Sequence, residues 1–156
     1  MERKRNPFVR SLSGGRILSA SQLPWFTVLP PRGFGVLTTI GRRTGKPRRK
    51  CVRAIRDGNR AYVVSIGGGR AAWMKNVWSD PNVRLRIRGG SFAGVARELT
   101  DPAAREKASR IYCGTVNPFD YVECTMHRAG RPTRSKIQEL HRHWFENGRA
   151  LVIDLG

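Results

Sequence analysis

Between two apolar, strand-like runs lies Gly41-Arg42-Arg43-Thr44-Gly45-Lys46-Pro47-Arg48-Arg49-Lys50, six cationic side chains on a turn whose two glycines let the backbone bend sharply and approach a ligand closely. Arg42, Arg43 and Arg48 offer planar forks for bidentate bonding, Lys46 a point charge and Thr44 a hydroxyl. Such a turn binds an anion, and phosphate or carboxylate suits these donors best. A second candidate follows at Ser65-Ile66-Gly67-Gly68-Gly69, a loop that leaves a strand and presents backbone N–H groups without side-chain obstruction. Trp73 and Asn76, three residues apart on the next helix, put a wide ring and an amide on one side, a pairing that can line a pocket for a flat heterocycle. Core packing is the plainer expectation for Trp73 taken alone.

The motifs of hydrolases and nucleotide-driven enzymes are missing. There is no GxSxG, no HExxH and no lysine-bearing phosphate loop, and Gly67-Gly68-Gly69 lacks the dinucleotide fingerprint. His141 and His143 stand two apart, so a helix points them to different faces, and His127 is isolated; no metal site is expected. These residues suit a bound cofactor that carries the chemistry itself.

The elements that must position these residues are legible as periodicities. Phe34–Ile40 reads as a strand ending at the basic turn, and Arg49–Arg56 and Arg60–Ile66 as a hairpin about Asp57-Gly58-Asn59. Residues 83–88 alternate strictly, with Val83, Leu85 and Ile87 facing inward and Arg84, Arg86 and Arg88 outward; Gly89-Gly90 turns the chain into a strand over Ser91–Leu99. Helices are expected over Ala71–Ser79, from Pro102 to about Cys113, and from Thr133 to Asn147-Gly148, before a last strand over Ala150–Leu155. Five or six mostly antiparallel strands with inserted and appended helices make an α+β chain built on a small β-barrel. Residues 34–156 form the barrel domain and residues 1–33 a basic, apolar arm, in which Phe8, Leu12, Ile17 and Leu18 can share one helix side and Trp25, Phe26, Val28 and Leu29 form an apolar knot. That arm either packs on the domain or lies on an anionic membrane surface.

Charge narrows the partners. The 156 residues carry a net +19, and residues 1–60 hold 15 Lys and Arg against 2 Asp and Glu. An anionic partner is implied: nucleic acid, acidic lipid or a phosphorylated small molecule. Nucleic acid fits less well, because the outward arginines of 84–88 are not interleaved with stacking aromatics such as Trp78 or Tyr62. Cys51, Cys113 and Cys124 show no metal-finger spacing and cannot all pair internally, which points to a reducing, cytoplasmic setting.

The run Leu37-Thr38-Thr39-Ile40-Gly41-Arg42-Arg43-Thr44-Gly45-Lys46-Pro47-Arg48, followed in order by Asp57-Gly58, Ser65 and the glycine loop, Trp73-x-x-Asn76 and Asp80-Pro81-x-Val83, resembles the signature of the deazaflavin-dependent nitroreductases of actinobacteria and related organisms. The likeness covers residues 34–99 well and the rest more loosely. It implies a split β-barrel of the FMN-binding-like kind that uses coenzyme F420, with FMN as the alternative cofactor. It further implies an oxidoreductase that passes a hydride to a small lipophilic electrophile, whether quinone, nitroarene or activated alkene. Carried over position by position, Arg42, Arg43, Thr44, Gly45 and Arg48 hold the cofactor's phosphate and oligoglutamate tail. Ser65, Ile66, Gly67, Ala72 and Trp73 border the deazaflavin ring, and Asn76 supports them. Tyr112 and Tyr121 are the nearest matches to the family's substrate-side tyrosines and are candidate proton donors. A homodimer is a further implication. Two features depart from the pattern: Ile66 stands where relatives often have lysine, and Glu123–Glu146 is longer than in short members.

Overall fold

Alternating apolar residues dictate strands with one buried face, and six such strands can hide that face by closing on themselves. In a computed structural model, which describes residues 28–156, they do so. The strands are β1 (Phe34–Ile40), β2 (Pro47–Asp57), β3 (Arg60–Ser65), β4 (Asn82–Ile87), β5 (Gly90–Glu98) and β6 (Arg149–Leu155). All neighbours are antiparallel in the order β1-β2-β3-β6-β5-β4, and β1 pairs back onto β4 to close the barrel. The helices are α1 (Ala72–Ser79), α2 (Pro102–Gly114), α3 (Pro118–His127) and α4 (Arg134–Asn147). The expected split barrel is thus the observed architecture. The arm's first 27 residues, with Phe8, Leu12, Ile17, Leu18, Trp25 and Phe26, lie outside the described residues.

The barrel is filled by Leu37, Val52, Ala54, Val63, Val83, Leu85, Ile87, Leu151 and Ile153, and its mouth is plugged by Trp73, Met74 and Val77 of α1. A second core lies on the barrel's outer surface. There Ile55, Tyr62, Val64, Ala150 and Val152 meet Tyr112 of α2, Cys124 of α3, and Ile137, Leu140, Trp144 and Phe145 of α4. Two boundaries differ from expectation. Strand β2 begins at Pro47, two residues before the expected start at Arg49, so Arg48 pairs with Thr39 and belongs to the sheet instead of the turn. The segment after Asn117, expected only as a tyrosine-bearing stretch, is helix α3; its start was readable in Asn117-Pro118-x-Asp120, since the Asn117 amide donates to Asp120 Oδ2 at 2.7 Å. Among the described residues no helix is long and apolar enough to cross a membrane.

A buried ionic cluster ties the helical layer to the barrel. Arg53 of β2, 5% exposed, donates through Nε to Asp120 Oδ1 at 3.0 Å, and through its two Nη atoms to the carbonyls of Tyr112 at 2.7 Å and Thr115 at 2.6 Å. The guanidinium also lies 4.4 Å from the centre of the Tyr112 ring. His141 of α4 brings Nε2 to 3.6 Å from the same Asp120 oxygen, while its Nδ1 and the Oε2 of Glu123 are buried without partners. Burial, aided by the charge of Arg53, pushes His141 down to about 3, so its ring is neutral. Burial, aided by Asp120 and opposed by Arg53, pushes Glu123 up to about 8, so it holds a proton at neutral pH.

These shifts act on stability with opposite signs. Folded Glu123 retains its proton longer than the unfolded chain, so its contribution is full below 4.5 and is lost as pH rises to about 8. Folded His141 resists protonation, so its contribution is full above 6.5 and is lost as pH falls towards about 3. Between pH 6.5 and 8 the Glu123 slope dominates among the shifted groups of the described residues. The wild type should therefore be less stable to urea at pH 8 than at pH 6.5, and Glu123→Gln should remove that difference. Equal wild-type stability at the two pH values would contradict the assignment.

Candidate cofactor site

Antiparallel closure brings the end of β1, the starts of β2, β4 and β6, and the ends of β3 and β5 to one rim. The basic turn, the glycine loop and α1 all sit there because the connections β1–β2 and β3–β4 cross that rim. The turn is closed by its own backbone: the Gly41 amide donates to the Lys46 carbonyl at 2.8 Å and the Gly45 amide to the Gly41 carbonyl at 2.7 Å. Gly45 has φ +67°, a conformation that disfavours any residue with a Cβ. Thr44 Oγ1 accepts from the Lys46 amide at 3.3 Å, so this hydroxyl shapes the turn as well as facing solvent.

The brace behind the turn is Asn76. Its Oδ1 accepts from both the Arg42 amide and Arg42 Nη1 at 3.2 Å, and its Nδ2 donates to Thr39 Oγ1 at 3.1 Å. Asn76 and Thr39 are buried, at 4% and 1% exposure. An amide is the side chain that serves both partners, because one end accepts and the other donates. The expected supporting role of Asn76 is therefore directed at the basic turn, not at the glycine loop. Thr39 is a member of the site that sequence reasoning passed over; its place in a threonine pair ending β1 was the available clue.

Arg43 and Lys46 project from this braced turn, and Arg48 from the adjoining start of β2, as exposed side chains; among the described residues no carboxylate pairs with them or with Arg42. No acidic residue occurs from Phe34 through Arg56. The rim is a preformed polycationic edge, and a phosphate with a chain of carboxylates fits its donor set.

On the neighbouring loop, Ser65 is wholly buried and its hydroxyl donates to the Gly68 carbonyl at 2.8 Å, so it holds the loop's shape instead of facing a ligand. Gly69 lies against the ring of Trp78, whose Nε1 donates to Glu98. Ile66, Gly67 and Ala72 are exposed, Ile66 at 49%. Trp73 is only 9% exposed and packs with Met74 and Val77 into the barrel mouth, so most of its ring is committed to the core.

The tyrosines are elsewhere. Tyr112 is 1% exposed between α2, α4 and Arg53, and burial raises its hydroxyl above the ordinary phenol range. A proton donor at an open substrate face is not available at that position, and the expectation for Tyr112 is corrected accordingly. Tyr121 is exposed on α3, whose neighbouring residues Phe119 and Asp120 contact Phe34 and Arg53. The contacts of α3 thus face the strands' outer surface and the other end of β1, not the basic turn.

A split β-barrel with a braced polycationic rim is a scaffold whose donor set suits a phosphorylated ligand. Residues 19–127 match the family model described as F420H(2)-dependent quinone reductase, and the chain belongs to that family. It is an F420-dependent oxidoreductase and its cofactor is coenzyme F420. Among solved structures, an F420-H2 dependent reductase (FDR-A) is 19% identical with a TM-score of 0.52, over 78% of this chain and 94% of that one. A chain described as a domain-swapped dimer is 19% identical with a TM-score of 0.55, over 88% and 91%. A heme binding protein from Mycobacterium smegmatis is 14% identical with a TM-score of 0.53, over 79% of this chain and 46% of that one. At these identities the likeness is one of fold.

Replacing Asn76 by Ala removes three hydrogen bonds and strands the Thr39 hydroxyl in the interior. A loss of about 1–3 kcal/mol of stability is expected by urea denaturation, with faster amide exchange at Arg42 than in the wild type. Unchanged exchange at Arg42 would show that the turn does not depend on this brace.

Proposed function

We propose that the rim formed by Gly41–Lys46 and the start of β2 holds the phosphate and oligoglutamate tail of F420, and that the chain reduces quinones. The observation that carries this reading is a closed, Asn76-braced turn bearing Arg43 and Lys46, with Arg48 beside it at the start of β2 and no carboxylate partner for any of them among the described residues. Arg43 and Arg48 supply forks for the carboxylates and phosphate, and Lys46 adds a mobile charge. Thr44 and Gly45 keep the turn open to the tail, while Arg42 stays anchored at its root.

When bound, the reduced cofactor supplies a hydride from C5 of its deazaflavin ring. The chain's part is to hold the reactants together and to exclude water. Gly67 would offer the ring an unobstructed backbone, and exposed Ile66 and Ala72 would give it apolar flanks. A quinone that takes up a hydride needs one proton to become a hydroquinone. Solvent at the open rim is the source of that proton, because Tyr121 lies with α3 towards the other end of β1.

FMN carries a single phosphate and leaves most of these cations without partners, so it should bind far less tightly. Fluorescence titration with oxidised F420, with FMN in parallel, checks this. The Arg43→Ala/Arg48→Ala double variant should lose at least tens-fold in F420 affinity, at about 1.5–3 kcal/mol per charge-assisted hydrogen bond, and little in FMN affinity. Equal F420 affinity in variant and wild type would remove the tail from this rim.

A further inference from the structure

The opposite rim of the barrel carries a second basic site that the cofactor reading leaves unused. Strand β1 spans seven residues, which places its first residue, Phe34, roughly 20 Å from the basic turn at about 3.3 Å per residue. A cavity of about 330 Å³ opens at this far end, within the lower range of small-molecule sites. Phe34, Ile55 and Ile87 give it an apolar floor, and all three side chains are themselves nearly buried. Its edge is set by Arg32, Arg56 and Arg88, each from a different element: the loop before β1, the end of β2, and the turn after β4.

None of these three arginines has a carboxylate partner among the described residues. Asp57, adjacent to Arg56 in sequence, is drawn away to Lys107 Nζ at 3.7 Å. Arg56 is held in place, with Nε donating to the Gly58 carbonyl at 2.9 Å and the guanidinium 4.6 Å from the centre of the Phe92 ring. The back wall is equally firm. The Gly33 carbonyl accepts from the Ala54 amide at 2.8 Å, and Gly33 approaches Asn117 so closely that a Cβ would stand 2.3 Å from Asn117 Nδ2. A solvated arginine fringe needs no apolar floor, and an apolar pocket needs no ring of unpaired cations.

From this pairing we infer that the basin binds an amphiphilic acid, with its carboxylate or phosphate head on Arg32, Arg56 and Arg88 and its apolar body on Phe34, Ile55 and Ile87. The site is separate from the F420 rim and does not rest on how the cofactor is held. Two or three charge-assisted contacts at a partly apolar site discriminate strongly between a charged and a neutral head.

Isothermal titration of the full chain with decanoate below its micellar range, and with decanol as the neutral match, tests this. Saturable one-site binding of decanoate, at least tenfold tighter than decanol, is expected both in the absence of F420 and at saturating F420. Arg32→Ala/Arg88→Ala removes two exposed side chains, so the fold should stand by thermal melting. It should weaken decanoate at least tenfold and leave the F420 affinity within twofold of wild type. Decanoate no tighter than decanol, binding unaffected by the double variant, or displacement of decanoate by F420 would each overturn the inference. So would association with phosphatidylglycerol vesicles without binding of free decanoate, which would make the basin part of a membrane-facing surface instead of a ligand site.

Discussion

Strand β1 is hydrogen-bonded on both edges, to β2 and to β4, and that double pairing closes the sheet. Closure satisfies every strand edge and gathers alternate connections onto opposite rims. The basic turn and the glycine loop are far apart in sequence yet share a rim for this reason. Helix α1 then plugs the barrel with Trp73, Met74 and Val77, and the same helix extends Asn76 to Thr39 and Arg42. The turn's geometry is therefore inherited from the barrel's core. Six clustered cations repel one another, and a backbone pinned at its root by a buried amide keeps them together until an anion arrives.

The outer face of the barrel is finished in a different way. Helices α2, α3 and α4 cover β2, β3 and β6, and the one charged strand residue beneath them, Arg53, is met by Asp120 and two carbonyls. A buried guanidinium is tolerable only when its donors are so occupied. This pairing fixes where α3 lies, leaves Tyr121 outward and encloses Tyr112. It also leaves Glu123 and His141 each with one unpartnered buried atom. The helical layer thus shapes what can approach the barrel and adds a pH dependence that belongs to packing, not to the reaction.

Much of this was legible in the residues. Strict alternation at 83–88 and the Asp57-Gly58-Asn59 turn announced strands that the barrel contains, because inward-facing side chains and tight turns are encoded locally. The basic turn was legible because glycine and charge are local too. The signature from Leu37 to Val83 led to the family that the match over residues 19–127 bears out. What escaped depends on long-range contact. Trp73 and Ser65 look like ligand-facing residues in a string, but closure turns both inward. Arg53 looks like one more surface cation until Asp120, 67 residues on, arrives beside it. Tyr112 follows the same logic, since only the docking of α4 decides whether its hydroxyl meets solvent.

F420 is expected to lie along the Asn76-braced rim. Hydrogen–deuterium exchange of the full chain, with and without saturating F420, reads this directly. Slower exchange confined to residues 41–48 and 65–73, with no change around residues 32–34 and 86–88, is the predicted result. Protection that leaves 41–48 untouched and falls on the opposite rim would contradict it.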